Sequence, residues 1–323
     1  MLLCKVRRKQ DYRIFRIKII TVMRILAAIF VLVVCLASIT LAQQMADPEF
    51  DTSVARPAFK DEGPRVMFDE AHHNFHTSDG RYKPFVDLLS NDGYRVVRNR
   101  LPFVKTRLSG FKILVIANAL GAEEDDDEGA DKSAFTGEEI EAVAEWVKDG
   151  GDLLLIADHA PFGGAASVLS QRFGVDMSKG YTFDPQNSVA GSPTQLIFSR
   201  ENKLLANHPI AEGRNENERI KLVRSFTGQS LKGPEGSIEI LKLADTATDK
   251  PTYTAETSTP AAGRAQAIAL KFGKGRVVVQ GEAAMLSAQI SGPDKRTMGM
   301  NVPGNDNKQY ALNLMHWLSG ILK

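Results

Sequence analysis

The chain has two cysteines in 323 residues, Cys4 and Cys35, and both lie in its first 42 positions. If that segment is removed, what remains has no disulfide, no thiolate metal ligand and no cysteine nucleophile. An excess of one charge sign is also missing, with 40 Lys and Arg against 39 Asp and Glu. Only one long apolar run occurs, Ile25 to Ala37, and its 13 residues fall short of the roughly 20 that a membrane-crossing helix needs. No His-Glu-x-x-His pair, Gly-x-Ser-x-Gly elbow, phosphate-binding loop or internal repeat is present. Their absence withdraws the sequence signatures of a zinc protease, an α/β-hydrolase and a P-loop NTPase. Ser167 and Ser287 are therefore weak candidates as nucleophiles.

The beginning of the chain reads as a leader. Lys5, Arg7, Arg8, Lys9, Arg13, Arg16, Lys18 and Arg24 flank the apolar run, and Thr40-Leu41-Ala42 supplies small residues at the −3 and −1 positions of a cleavage site. Met23-Arg24 would itself open a signal of ordinary length. The alternatives are a retained single-pass anchor and a lipoprotein using Cys35, although Leu32-Val-Val-Cys35 is bulkier than a lipobox. Residues 1–42 are thus expected to be a signal peptide and the protein secreted or periplasmic, with membrane contact only through an uncleaved leader. Removing the eight basic residues and one acidic residue of this segment leaves 32 basic and 38 acidic, a net charge of −6. Such a balance disfavours nucleic acid as a partner. The remaining 281 residues can bury a large core unaided.

Residues 43–62 are polar, contain Pro48 and Pro57, and are expected to form a tether. A single domain then spans 63–323. Arg65 to Phe68, Tyr94 to Val97, Lys112 to Ala117 and Asp152 to Ala157 are short apolar runs that predict strands. Between them lie helical spacings at Tyr82 to Leu89, at Ile140 to Val147 behind a Thr136-Gly-Glu-Glu139 capping box, and at Gly164 to Phe173. The acidic run Glu123 to Glu128 is expected to be a solvated loop, since calcium would need a ligand spacing it lacks. Residues 175–262 lose the rhythm and predict an irregular β-rich insertion. Ala265 to Leu270 and Arg276 to Gln280 then form a hairpin about Gly273-Lys-Gly275, and a helix runs from about Lys308 to Leu318. Strands and helices in alternation predict a flavodoxin-like, doubly wound, mostly parallel sheet.

Ligands of such sheets bind beyond the carboxyl ends of the strands. There the sequence places Asp69-Glu70-Ala-His72-His73-Asn74-Phe-His76, Asn118, Asp158-His159 and Glu282, including four of the six histidines. Each has a structural reading as well: Asp69 and Asp158 as caps, His73 pointing away from His72, and Glu282 facing a helix dipole. Two chemistries fit the group. One is acid/base work by Glu70 and His159, or ligand recognition by Asp69, His72, Asn74, Asn118, Asp158 and Glu282. The other is hydrolysis assisted by a divalent metal, with His72, His76, Asp158 and His159 as ligands.

These strand ends, with Gly275-Arg-Val-Val-Val-x-Gly281-Glu282 and Asn305-x-x-x-x-Tyr310-x-x-Asn313-x-x-x-Trp317-Leu318, resemble class I glutamine amidotransferase-like domains. More particularly, the chain resembles bacterial secreted or envelope proteins distantly related to trehalose-utilisation-type and gliding-motility-associated domains. The resemblance implies a flavodoxin-like fold with a pocket at the strand edge. It does not extend to the nucleophile: amidotransferases carry Cys on the turn that here reads Asp158-His159-Ala-Pro161. The expectation is a domain that binds a small polar ligand, such as a saccharide or cell-wall fragment, without a Cys triad. A metal-assisted hydrolase and a non-catalytic envelope scaffold are the alternatives.

Overall fold

The computed structural model describes residues 44–323, so the leader, its cleavage site and both cysteines lie outside the described residues. The compact unit comprises Gln44–Ser291 and Lys295–Lys323. In chain order it opens with strand β1 (Arg65–Asp69), helix α1 (Lys83–Asn91), β2 (Arg95–Asn99), β3 (Ile113–Ala117), helix α2 (Gly137–Asp149), β4 (Asp152–Ile156) and helix α3 (Phe162–Arg172). After α3 come β5 (Asp176–Met177), β6 (Leu231–Lys232) and β7 (Ile238–Lys242). The hairpin β8 (Ala265–Phe272) and β9 (Gly275–Gln280) and the final helix α4 (Asn307–Leu318) close the unit.

The main sheet runs β2-β1-β3-β4-β9-β8-β6-β5, with β7 also pairing with β8. Strands β2, β1, β3, β4 and β9 are mutually parallel, the 2-1-3-4-5 order of a flavodoxin-like sheet, and the other four join it through antiparallel pairings. Every residue of β3 and β4 is buried, which explains the apolar runs Ile113–Ala117 and Leu153–Ile156: both faces are covered. Leu154 and Ile156 face the core shared with α1 and α4, whereas Leu153 and Leu155 face the core shared with α2 and α3. The α2–β4 turn needs glycine. Gly150 has φ +122°, and a Cβ on Gly151 would fall 2.1 Å from the Trp146 ring.

The segment 175–262 is β-rich, and β5, β6 and β7 within it extend the main sheet through β8. Two three-stranded sheets complete the segment: Ser188–Val189, Ser192–Ser199 and Leu222–Arg224 form one, and Tyr181–Phe183, Thr248–Lys250 and Thr259–Pro260 the other. Residues 44–62 do not hang free as a tether. Met45–Ala46 pairs with Ala288–Ser291, Phe50, Val54 and Phe59 pack on the core, and Ala58 N–H donates to Asp92 Oδ1 at 2.7 Å. The few apolar side chains of this segment suffice to dock it, and their irregular spacing hid them from a periodicity reading. Among the described residues, no helix is long and apolar enough to cross a membrane.

Candidate functional site

The carboxyl ends of the parallel strands build one cavity of about 490 Å³. From β3 comes Asn118, in the left-handed region at φ +50°, where Asn is tolerated better than most residues. Its Oδ1 accepts the Asp158 N–H at 3.0 Å and so ties the end of β3 to the end of β4. Beyond β4, Gln229 Nε2 donates to the carbonyls of Ala157 and Asp158, both at 2.9 Å. Beyond β9, Glu282 accepts the N–H groups of Ala284 and Met285, one on each carboxylate oxygen, at 2.9 Å. Backbone turns fixed by buried side chains thus present Asn118, Asp158 and Glu282 to a common space.

The electrostatics of that space are unusual. Asp158 and Glu282 are both buried beside the cavity. Burial pushes the Asp158 carboxyl up, against the opposing pull of His159 and neighbouring N–H groups. Burial and the charge of Asp158 together push Glu282 well above the usual carboxylate range. Like charges in one dry site hinder each other's ionisation. His76, also on the wall, is driven down to about 3 by burial and by Arg81, and its neutral ring stacks on Tyr82 at 4.7 Å.

His159 reaches the cavity from the turn after β4. Its Nδ1 donates to the Ala160 carbonyl at 2.7 Å, which fixes a proton on that nitrogen and orients the ring. The ring stacks on Tyr181 with centroids 4.5 Å apart and planes at 17°. Tyr181 packs edge-on against Tyr253 at 5.8 Å, and Phe75 meets Phe162 at 5.2 Å. Aromatic rings therefore line the cavity.

The structure does not bring all the expected residues together. Asn118, Asp158, His159, Glu282 and His76 line the cavity; Asp69, Glu70, His72 and Asn74 do not. His72 is clamped instead between Asp69 Oδ2 at 2.8 Å and Glu139 Oε1 at 2.9 Å, and Asn74 Nδ2 donates to the same Asp69 oxygen at 3.1 Å. These four residues form a buried brace between β1 and the start of α2. Glu70 is committed elsewhere: its Oε1 accepts Ser78 N–H at 2.9 Å and Ser78 Oγ at 2.5 Å, while Arg98 and Arg100 pair with the carboxylate. Glu70, expected to do acid/base work, thus pairs with Arg98 and Arg100 and does not line the cavity. The metal set His72, His76, Asp158 and His159 is likewise not assembled, because His72 is held in the brace. Among the described residues, no group of three or more His, Cys, Asp or Glu is placed to hold a metal ion. Ser167 and Ser287 donate to the carbonyls of Gly164 and Arg81, at 2.8 and 2.6 Å.

Several wall residues escaped the sequence reading. Tyr181, Gln195, Phe226, Thr227 and Tyr253 come from the irregular segment, and Gln289 from a strand after β9. The acidic run is exposed, as expected of a solvated loop, but Asp125 within it reaches the cavity wall. No local pattern marks these residues, because they lie outside the parallel strands and their immediate turns.

No protein-family model matches the sequence, and no curated protein matches it. Solved structures do resemble it. The N-terminal domain of mmIFT52 superposes over 79% of this chain and 97% of that domain, with a TM-score of 0.56 and 14% identity. The likeness shows the fold alone. A cytoplasmic protein of Salmonella typhimurium (13% identity, TM-score 0.48, 79% of this chain and 99% of that one) is also similar. So is a ThuA-like protein of Parabacteroides merdae (14% identity, TM-score 0.44, 81% of this chain and 91% of that one).

Proposed function

We propose that this protein is an exported binding domain whose carboxyl-edge cavity takes a small, neutral, polyhydroxylated ligand of the saccharide class. The observation that carries the proposal is the composition of the wall. Tyr181, Tyr253 and Phe226 offer aromatic rings, Asn118, Gln195 and Thr227 offer neutral polar groups, and among the described residues no Lys or Arg borders the space. A carbohydrate ring has just this duality, with C–H faces for aromatics and hydroxyls for amides and carboxylates. An anionic ligand would meet Asp125 and find no cation among the described wall residues. Binding without turnover accords with the position of Glu70 and with the backbone bonds that occupy Glu282.

Thermal unfolding with a panel of neutral mono- and disaccharides tests the proposal. A true ligand at 100 times its dissociation constant stabilises by about 2.7 kcal/mol. Tyr181→Ala removes the stacked face and should weaken binding by roughly tenfold or more, equivalent to about 1.4 kcal/mol. If no saccharide shifts the transition, the scaffold reading remains. Export is proposed from the leader described above, and mass spectrometry of protein recovered from its host should find Gln43 as the first residue.

A further inference from the structure

Gln289 lines the cavity and is fully buried, yet neither the oxygen nor the nitrogen of its side-chain amide has a hydrogen-bond partner. Its backbone is firmly held. It sits in the strand Ala288–Ser291, opposite Ala46 on one side and Met298 on the other, and its carbonyl accepts Asn301 Nδ2 at 2.9 Å. Buried amides are ordinarily paired, and leaving one unpaired is destabilising. An orphan amide at a cavity wall is therefore explained when its partner arrives from the cavity. His76 Nδ1, on the same wall, is also buried and unpartnered.

We infer that Gln289 is a ligand-recognition residue and that it grips two adjacent hydroxyls of a sugar ring. The inference rests on the saccharide reading of the same cavity. A carboxamide presents an acceptor oxygen and a donor nitrogen side by side. Two vicinal hydroxyls match that fork, because each can donate or accept: one gives its proton to Oε1 and the other takes one from Nε2. A lone hydroxyl would satisfy only half of the amide. The cavity therefore selects ligands with a free vicinal diol and rejects those in which either hydroxyl is deleted or blocked, since deletion leaves a buried polar atom unpaired.

The test compares glucose, mannose and galactose with their 2-deoxy, 3-deoxy and 4-deoxy forms, by calorimetry on the wild-type protein and on Gln289→Met. Two adjacent deletions on one sugar should each weaken wild-type binding at least tenfold, and both penalties should shrink below threefold in Gln289→Met. Because the amide has no protein partner, Gln289→Met should also melt no lower than wild type in the absence of sugar. A variant that melts markedly lower, or does not fold, gives the amide a structural role and overturns the inference. Equal deoxy-sugar penalties in both proteins, or none in either, overturn it while leaving the saccharide site standing. If no sugar binds the wild type, the inference and the reading beneath it fall together.

Discussion

At the scale of single residues, His72 shows how a side chain suited to catalysis can be spent on architecture. Burial opposes its charged form, but hydrogen bonds to Asp69 and Glu139 outweigh burial and raise its pKa. Glu139 moves the other way. Burial would raise it, yet the N–H of Thr136, the His72 ring and the N–H of Phe103 hold it at about 2. A raised histidine contributes stability that is full below its unfolded value near 6.5 and is lost as pH climbs through the folded value. A lowered carboxylate contributes stability that is full above its unfolded value near 4.5 and is lost as pH falls towards about 2. Both contributions coexist between these unfolded values. Urea unfolding of wild type and Glu139→Gln should show the widest stability gap in that window and a narrower one on either side. A gap that ignores pH would mean the brace carries no charge. The sequence placed His72 and Asp69 correctly at the end of β1. It gave no sign that Glu139, one turn into a distant helix, would claim the other ring nitrogen.

At the scale of elements, local signals were the readable ones. The Thr136 capping box forms as expected, with Thr136 Oγ1 accepting the Glu139 N–H and Glu139 Oε2 accepting the Thr136 N–H. The two bonds of the box join residues three apart, so neighbours in sequence are sufficient to specify it, although Glu139 Oε1 also accepts from the His72 ring and the Phe103 N–H. Thr136→Ala should destabilise the protein by about 1–2 kcal/mol in chemical unfolding. A different constraint acts on α3. A Cβ at Gly163 would lie 2.4 Å from Gln229 Nε2, which is held by the Ala157 and Asp158 carbonyls, and Gln229 Oε1 accepts Lys179 N–H at 2.9 Å. Gly163→Ala should displace that amide, destabilise by about 2 kcal/mol as buried hydrogen bonds are lost, and weaken saccharide binding with it. Unchanged unfolding and binding would show that Gln229 can move aside freely. Nothing in the string Phe-Gly-Gly-Ala announces this contact, because Gln229 arrives from the irregular segment.

At the scale of the molecule, the segment 44–62 belongs to the fold. Phe50, Val54 and Phe59 pack on the core, Asn91 Nδ2 donates to the Thr52 carbonyl at 2.9 Å, and Met45–Ala46 closes a small sheet. A chain beginning at residue 63 should lose at least about 2 kcal/mol relative to one beginning at residue 44, from exposed apolar surface alone. Equal melting temperatures would return the segment to the status of a tether. Gln44 also lines the cavity, so the shortened chain should bind its ligand less tightly as well.

The sequence by itself determined the parallel half of the sheet, its helices and its strand-end residues, because hydrophobic period, capping and turn chemistry act over a few neighbouring positions. Those signals placed Asn118, Asp158, His159 and Glu282 beyond the strands, which the 2-1-3-4-5 order then gathered. Tertiary structure alone decided which polar groups face the cavity and which face one another. Asp69, His72 and Glu70 found partners in α2, β2 and the loop before α1, whereas Tyr181 and Tyr253 reached the wall from the irregular segment and Gln289 from a strand paired with Met45–Ala46. The physical reason is that a side chain's hydrogen-bond partner and solvent exposure are set by whatever packs against it, and those neighbours lie far away along the chain.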